Sequence, residues 1–508
     1  MGAAGPRSFE TFDAQARDGG LIPVWRDVLL DADTPVAAFH RLRRGRFAFL
    51  LESAPAGGET WARYTFMGTE PYAAWRLRDG VVESWTEARG WHDARTPADP
   101  MADLRAILSQ WPVADAPDVG AFWAGAVGYF AYDVVRHFER LPNAPPRGID
   151  APDAIVMFPR TVVIMDNLRA QARVVCGVPV PIGADAAARR AAYDAGMADV
   201  ERTIAHLRGG RPLPPLDLDP NARPAEGRSS MSRDAFMAGV ARIKEHILSG
   251  DVFQALLARR ISVPHDFEGT DLYRAIRALN PSPYMFHLLL DGVELVGSSP
   301  ELLVRVADDR VVVRPIAGTR RRAGTPEEDD RLAEELLADE KERAEHVMLV
   351  DLGRNDVGRV SEYGSVQVTD LMTVERYSHV LHIVSQVEGR LPAGTSALDV
   401  LRATFPAGTM TGAPKVRSME IIDALEPERR GPYAGAIGYI AAGDRRMDLA
   451  ITIRTCVIAG GEANVQAGGG IVADSDPAME WEETENKARA MLTAIGRVRA
   501  AARSPRDV

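Results

Sequence analysis

The sequence predicts an α+β fold in which antiparallel strands pack with helices. Short runs rich in β-branched and aromatic residues recur along the chain, and amphipathic helical segments lie between them. Near the C-terminus the turns Gly443-Asp444 and Gly460-Gly461 join consecutive strands, and such short turns produce antiparallel hairpins. Strands joined in this way argue against a doubly wound parallel sheet.

The N-terminal part of the chain mixes strands with helices. Strand-like runs occur at 46–53, 63–71, 122–138 and 154–167, and helical patterns occur at 98–111 and 184–207. A stretch rich in Pro, Gly and Asp follows at 209–230, which is typical of a linker. We therefore predict an N-terminal α+β region at 1–225 and a second region at 226–508, and we leave open how far their sheets merge.

The second region begins with a helix at Ser232, a residue type that is favoured at helix N-termini. The apolar stripe of this helix consists of Phe236, Val240, Ile243 and Ile247. The elements predicted after it are a strand at 251–264, a helix at 271–280, a β-meander at 285–319, a strand pair around 364–390, helices near 395–404 and 414–425, and three strands between Tyr433 and Val472.

Length and composition limit the class of protein. A chain of 508 residues exceeds what one hydrophobic core usually supports, so it forms two large domains or one elaborate layered unit. The net charge of −11 argues against a nucleic-acid partner. With two cysteines, Cys176 and Cys456, the sequence encodes neither a disulfide framework nor a multi-cysteine metal site, which suits a reducing compartment.

No targeting or membrane segment is recognisable. The N-terminal residues lack the basic and apolar regions of a secretory signal. The most apolar run, at 120–135, is too short and too glycine-rich to span a bilayer. We therefore expect a cytoplasmic protein without a membrane partner.

Two predicted helices each present a pair of carboxylates. Glu342 and Glu345 are three residues apart and share one helix face, and Glu480 and Glu483 repeat this spacing, with Lys487 on the same face. If the two faces meet, their carboxylates repel one another unless a cation lies between them. Ligands that are all oxygen atoms suit Mg²⁺. Spacing alone nevertheless favours the alternative, which is two solvated helices.

Other residues are ambiguous when they are considered singly. Arg454 lies in an apolar run that we interpret as one strand, where it either binds an anion or faces solvent. Three consecutive glycines at 468–470 end a strand, which indicates a bend or a close backbone approach. His379 and His382 point to opposite faces of a strand, so at most one reaches a given site. Neither cysteine lies in a G-x-C-x-G motif, so any chemistry on an amide nitrogen requires a partner.

Several long motifs, taken together, resemble those of the chorismate-utilising enzymes, and most of all those of the component I branch of anthranilate synthase. They occur in order between about residues 232 and 495 and include PIAGT, ERYSHVLHIVSQVEG, FPAGTMTGAPKVRSMEIID and VQAGGGIVADSDPAMEWEETENKA. LLES at 50–53 and GAVGYFAYD at 125–133 extend the resemblance toward the N-terminus. The resemblance implies an α+β fold with large antiparallel sheets and helices around the active site.

The resemblance also assigns substrate-binding and metal-binding residues. In the family Mg²⁺ holds the ring carboxylate of chorismate, and the matching glutamates surround that ion, some of them through water. The positions that match these ligands are Glu342, Glu345, Glu480 and Glu483. The positions that match substrate-binding residues are Tyr433 and Arg454 at the enolpyruvyl carboxylate, Gly468, Gly469 and Gly470 as backbone donors, Lys487 near the ring carboxylate, and Ala317, Gly318 and Thr319 of PIAGT.

Four further positions match catalytic residues of the family. Glu301 matches the acid that protonates the departing C4 hydroxyl, and His382 matches the histidine of the later step, which expels pyruvate. Thr409 matches a hydroxyl-bearing residue of the pocket. Gln254 stands where the water-adding enzymes carry a lysine base, and a neutral amide cannot deprotonate water. Ala317 stands where the para-aminobenzoate branch carries a lysine nucleophile.

The resemblance further implies a tryptophan feedback site. The matching residues are Leu51, Glu52 and Ser53 together with Asn280, Pro281, Ser282, Pro283, Tyr284 and Met285. The alternative is that the first group is only a strand end and the second only a turn.

Together these matches imply the first step of tryptophan biosynthesis. Chorismate would react with ammonia, supplied from glutamine by a separate amidotransferase subunit, to give anthranilate and pyruvate in a Mg²⁺-dependent reaction. A hetero-oligomer is expected. The alternatives are an enzyme that stops at aminodeoxyisochorismate, a para-aminobenzoate (aminodeoxychorismate) synthase component, and an inactive tryptophan sensor or amidotransferase-binding scaffold.

Overall fold

The computed structural model describes residues 8–53, 63–210, 212–377 and 380–503. Within these ranges the chain forms two antiparallel sheets of twelve strands each, with helices on their outer faces. The predicted α+β class with large antiparallel sheets is therefore confirmed. His379 lies outside the described residues.

The first sheet, sheet A, joins strands from the beginning and the end of the chain. In order across the sheet they are β1 (Gly20–Leu29), β10 (Gln171–Val180), β9 (Thr161–Asp166), β3 (Tyr64–Thr69), β2 (Phe47–Glu52), β13 (Tyr284–Leu290), β14 (Val293–Ser299), β23 (Thr455–Ala459), β24 (Glu462–Ile471), β12 (Gln254–Pro264) and β11 (Arg228–Ser229), with β20 (Gly412–Ala413) also paired to β12.

The second sheet, sheet B, is built in the same way. Its order is β17 (Ile316–Arg321), β19 (Val380–Arg390), β16 (Arg310–Val313), β15 (Leu302–Ala307), β22 (Arg446–Ile451), β21 (Ala436–Ala441), β7 (Gly125–Phe130), β8 (Ala154–Pro159), β4 (Pro71–Arg78), β5 (Val81–Thr86) and β6 (Gly90–Arg95), with β18 (Gln367–Arg376) also paired to β19. Both sheets contain strands from either side of residue 225.

Helices cover the outer faces of the two sheets. They are α1 (Phe9–Gln15), α2 (Pro35–Leu42), α3 (Pro100–Leu108), α4 (Ala186–Arg208), α5 (Arg233–Leu248), α6 (Gly269–Leu279), α7 (Pro326–Ala338), α8 (Glu340–Gly358), α9 (Ala397–Thr404), α10 (Lys415–Leu425) and α11 (Pro477–Arg503). Ser232 caps α5 as predicted, because its side chain accepts a hydrogen bond from the backbone N–H of Ala235. In the described part of the chain, no helix combines the length and apolar composition needed to cross a membrane.

Strand alternation explains the layered core. On β2, Phe47 and Phe49 face sheet B, whereas Ala48 and Leu50 face the helices that cover sheet A. Residues of both sheets, including Tyr129, pack together in the cluster between the sheets. A third cluster joins the opposite face of sheet B to residues of α3, α8 and α9. The result is a sheet-on-sheet arrangement with a helical layer on each side.

The C-terminal strands differ from the sequence prediction. The structure has four strands there instead of three, and they form two hairpins that belong to different sheets: β21 with β22, and β23 with β24. The run around Arg454 is therefore not one strand. The chain leaves sheet B after Ile451 and enters sheet A at Thr455, so the linking residues carry it from one sheet to the other.

Candidate active site

The two helices that carry the predicted metal ligands approach each other. α8 begins at Glu340, and the Asp339 side chain caps it by accepting hydrogen bonds from the backbone N–H groups of Lys341 and Glu342. Burial raises the pKa of Glu345, and the nearby negative charges of Glu342 and Glu483 raise it further. Because Glu483 lies on α11, the structure brings the carboxylates of the two helices together.

The glycine run on β24 makes room for the α11 carboxylates. A Cβ atom at Gly469 would lie 2.7 Å from Glu480 Oε2 and 3.9 Å from Glu483 Oε1, so a larger residue would displace Glu480. Glu480 Oε2 is buried and has no hydrogen-bond partner within the described ranges. Burial raises the pKa of Glu480, and the charge of Glu483 adds to this effect. An orphaned carboxylate oxygen beside other carboxylates fits a site for a cation.

The carboxylates do not form a complete coordination shell. Among the residues the structure describes, no group of three or more His, Cys, Asp or Glu side chains is placed to hold a metal ion. Two of the four carboxylates are instead paired with cations. Glu342 Oε1 accepts a hydrogen bond from Arg320 Nη1 at 3.1 Å, and Glu483 Oε1 lies 2.5 Å from Lys487 Nζ. Lys487 Nζ also donates to the carbonyl of Gly468 at 3.0 Å.

Arg454 occupies the crossing between the two sheets with an unusual backbone conformation. Its φ angle is +50°, and its carbonyl accepts a hydrogen bond from the backbone N–H of Ser298 at 3.1 Å. No carboxylate among the described residues lies within 4.0 Å of its guanidinium, and burial lowers its pKa. The buried Tyr433 and the carboxylate of Glu483 oppose that shift. A partly buried guanidinium without a carboxylate partner fits an anionic ligand.

Glu301 is a buried acid between the two sheets. It follows β14 and precedes β15, its exposed fraction is 8%, and its Oε1 accepts a hydrogen bond from Thr409 Oγ1 at 3.1 Å. Burial raises the pKa of Glu301 to about 8, although Thr409 and the charge of Lys487 act in the opposite direction. The side chain is therefore mainly protonated at neutral pH, which is the state that a general acid needs.

His382, in contrast to Glu301, is set up to accept a proton. Its Nδ1 lies 2.7 Å from the carbonyl of Gly318 and 3.3 Å from Thr319 Oγ1. Since a carbonyl only accepts, Nδ1 carries the proton and donates it, which leaves Nε2 with a lone pair. Burial lowers the pKa of His382, so the neutral imidazole is available as a base.

The two residues that we expect to decide the branch lie beside other residues of the candidate site. Ala317 pairs with Ile383, next to His382, and the register of β17 against β19 shifts after it, at Gly318, whose φ is +65°. Gln254 begins β12, and a Cβ atom at Gly470 would lie 2.0 Å from its Nε2. Neither position provides an amine.

The residues of the predicted tryptophan site lie at one end of neighbouring strands. β2 pairs with β13 so that Glu52 is opposite Met285 and Leu51 is opposite Phe286, which brings 51–53 beside 284–285. The Glu52 carboxylate is held by Arg277 and by the hydroxyl of Tyr273, which donates at 2.7 Å. Asn280 ends α6, and its carbonyl accepts a hydrogen bond from Ser298 Oγ.

Sequence reasoning did not identify Arg430, a buried arginine whose hydrogen bonds join several segments around the candidate site. Its exposed fraction is 1%, and it donates hydrogen bonds to Glu426, to the carbonyl of Met410 and to the carbonyl of Leu256. Its guanidinium carbon lies 5.9 Å from the centre of the Tyr433 ring. It thereby connects the turn that carries Thr409 to strand β12, close to Tyr433. Because Glu426 and Arg430 lie beyond the end of α10, no helical spacing in the sequence pointed to this pair.

Comparison with known proteins identifies the class. The profile of the chorismate binding enzyme family matches residues 48–493, so the chain belongs to that family. Within it, the chain is similar to anthranilate synthase component 1 from Pseudomonas putida, with 47% identity over 93% of this chain and 95% of that protein. Component 1 from Aquifex aeolicus is 45% identical over 96% of this chain and 97% of that protein.

A solved structure extends the similarity to three dimensions. The crystal structure of anthranilate synthase component I from Streptococcus pneumoniae superposes with a TM-score of 0.74 and 35% sequence identity. The match covers 92% of this chain and 99% of that chain. The family predicted from the motifs is therefore confirmed.

Proposed function

We propose that this chain catalyses the conversion of chorismate and ammonia to anthranilate and pyruvate. The observation that carries this proposal is the pair Gln254 and Ala317. Both lie in the candidate site, and neither supplies the lysine that water addition or covalent catalysis at the para position requires. Attack by ammonia at C2 is the remaining branch, and it agrees with the similarity to anthranilate synthase component 1.

The charged side chains suit a substrate with two carboxylates. Arg454 and Tyr433 would bind the enolpyruvyl carboxylate, and Lys487 with the backbone N–H groups of Gly468 and Gly470 would bind near the ring carboxylate. Glu342, Glu345, Glu480 and Glu483 would hold Mg²⁺. When bound, Mg²⁺ would neutralise the ring carboxylate and draw charge from the ring.

The acid and the base then act in sequence. As ammonia attacks C2, Glu301 gives its proton to the C4 hydroxyl, which leaves as water. The free Nε2 of His382 serves the second step, in which C2 loses its hydrogen and pyruvate departs. Thr409 keeps the Glu301 carboxyl oriented through the hydrogen bond to Oε1.

A direct assay tests the reaction. Incubation of the protein with chorismate, Mg²⁺ and an ammonium salt should release fluorescent anthranilate and an equal amount of pyruvate. Isochorismate or para-aminobenzoate as the product would contradict the proposal. An aminated product without pyruvate would indicate an enzyme that stops at aminodeoxyisochorismate, and absence of any turnover would favour the inactive scaffold.

A separate amidotransferase and tryptophan feedback complete the proposal. Cys176 and Cys456 are both buried, and burial raises the pKa of both thiols, so neither suits a glutaminase nucleophile. Ammonia from glutamine would then come from a second subunit in a cytoplasmic hetero-oligomer. Glutamine should support turnover only when such a subunit is added.

The fold offers a route for feedback from the predicted tryptophan site. Ser298 donates its hydroxyl hydrogen to the carbonyl of Asn280 and its backbone N–H to the carbonyl of Arg454. A ligand that moves residues 280–285 would thus act on Arg454 through one buried serine. Tryptophan should raise the midpoint of thermal unfolding and inhibit turnover. If either effect is missing, the regulatory proposal is contradicted, whereas the catalytic proposal is unaffected.

A further inference from the structure

A small cavity lies beside Glu301 and Thr409, at the margin of the candidate active site. Its volume is about 40 Å³, and its walls come from the start of β15, the turn at 407–409 and one face of α8. None of the four predicted metal ligands lines it, and neither Arg454 nor Tyr433 does. We call this space the Glu301 chamber.

Two carboxyl groups reach the walls of the Glu301 chamber. One belongs to Glu301 and the other to Asp356, whose exposed fraction is 6%. Asp356 accepts hydrogen bonds from Lys415 Nζ at 2.9 and 2.8 Å, and Lys415 also donates to the carbonyl of Thr404, another residue of the wall. Arg314, Thr404 and Thr409 supply the other polar side chains of the lining.

The chamber meets the requirements for ordered water. A buried water needs roughly 10–15 Å³ of such space and two to four polar partners, so a chamber of about 40 Å³ has room for roughly three waters. Carboxylate, hydroxyl and carbonyl groups supply the partners. Dry cavities, in contrast, are lined by apolar groups alone.

The proposed reaction requires such water because Glu301 must recover a proton in every cycle. Glu301 loses its proton to the C4 hydroxyl as the C4–O bond breaks and water forms. Ammonia becomes an ammonium group as the C2–N bond forms, and it then releases one proton to solvent. The protons balance, but Glu301 is buried and the released proton must travel back to it.

We propose that the Glu301 chamber holds the waters through which Glu301 regains its proton, and that Asp356 is the positioning residue that orders them. The Glu301 carboxylate takes a proton from the adjacent water, and that water is reprotonated along the chain from solvent. No electron transfer or further reactant is involved. This inference rests on the proposed function.

A purely structural role for Asp356 makes a different kinetic prediction. The Asp356–Lys415 pair joins α8 to α10, and under a purely structural role its loss would distort both helices. Distortion of the site would lower kcat and kcat/KM together. Slow reloading of Glu301 would lower kcat alone, since free enzyme already carries the proton when chorismate binds.

The test is steady-state kinetics of the Asp356→Asn variant with chorismate, Mg²⁺ and saturating ammonium salt. We expect kcat to fall about tenfold or more while kcat/KM for chorismate stays within about twofold. The solvent deuterium isotope effect on kcat should rise, because proton transfer then limits turnover. Asp166→Asn is the matched control, since Asp166 is an equally buried carboxylate that pairs with Arg63 on sheet A.

A second variant leaves the ion pair intact. Leu352 lines the chamber, and Leu352→Phe would displace water from it, whereas Leu352→Met keeps the volume. We expect the Phe variant to show the same selective fall in kcat and the Met variant to behave like the unmodified protein. A parallel fall of kcat and kcat/KM, or no change in either variant, would overturn the chamber proposal. If the unmodified protein itself makes no anthranilate, the proposed function fails instead.

Discussion

The Glu301→Gln variant measures separately how much the buried Glu301 carboxyl group lowers folding stability and how much it contributes to catalysis. The amide has nearly the same shape and still accepts the hydrogen bond from Thr409, but it has no acidic proton to transfer. Burial moves the pKa of Glu301 from 4.5 to about 8, which makes its ionised form about 5 kcal/mol less favourable in the folded protein. The glutamine has no ionised form.

The sign of the pH dependence follows from the direction of the shift. Because its pKa is higher in the folded protein, Glu301 stays protonated there while it ionises in the unfolded chain between pH 4.5 and about 8. Stability is therefore lost as the pH rises through this window. The difference in unfolding free energy between Glu301→Gln and the unmodified protein should grow by roughly 3–4 kcal/mol between pH 5 and pH 8 and then level off.

Two measurements check this prediction. Urea unfolding at pH 5, 6.5 and 8 gives the free-energy difference, and anthranilate fluorescence gives the rate, which should fall about 10²–10⁴-fold in the variant. A free-energy difference that does not change with pH would mean that Glu301 is not held protonated. A variant with normal turnover would show that another group is the acid.

Four further substitutions test the remaining parts of the site. Glu483→Gln should lower Mg²⁺ affinity and turnover about tenfold or more without unfolding the protein. Gly469→Ala should have the same effect, because the added methyl group displaces Glu480. Titration of each variant with Mg²⁺ measures the effect, and unchanged kinetics would mean that the carboxylates are only a charged surface. Arg454→Met should raise KM for chorismate about ten- to hundredfold, because a substrate carboxylate loses its partner, and an unaltered KM would refute that role. His382→Asn should allow amination but block the loss of pyruvate, so that coupled pyruvate detection falls while chorismate consumption continues; equal yields would contradict this assignment.

Local sequence patterns predicted the strands but not their partners. The apolar alternation at 46–53 predicted a strand, and β2 indeed occupies Phe47–Glu52. Its partner β13 lies more than two hundred residues further along the chain, and nothing in either run specifies the other. Sheet order depends on long-range packing between two apolar faces, which a local pattern cannot encode.

The error at Arg454 has a particular physical cause. Leu449, Ile451 and Ile453 share one face of the run up to Arg454, and no Gly or Pro interrupts the chain from there to Val457, so one strand is the natural interpretation. The structure instead places Arg454 at φ +50°, a conformation that costs a non-glycine residue of the order of 1–2 kcal/mol. The hydrogen bond from Ser298 and the packing of two sheets hold it there. Such strain, at a guanidinium that has no carboxylate partner in the described part of the chain, is typical of a binding site.

The spacing of the glutamates predicted the faces of α8 and α11 but not their meeting. The three-residue interval fixes which side chains share a helix face, whereas their approach depends on both helices packing near the glycines of β24. The raised pKa of Glu301 could not be predicted from the sequence either, because the sequence shows only an ordinary glutamate shortly after two serines. Only the fold removes it from water.

Burial is the largest influence on the pKa of Glu301 and of His382, and it favours opposite roles for the two residues. Removal from water disfavours the charged form of any side chain, so it raises the pKa of a carboxylic acid and lowers that of an imidazole. At neutral pH the acid therefore keeps its proton and the base keeps its lone pair, and the charge of Lys487 opposes the shift at Glu301 without reversing it. The same low-polarity environment that makes Glu301 a competent acid also isolates it from solvent. A site built in this way needs a route for returning protons, and the chamber between Glu301 and Asp356 is placed to provide it.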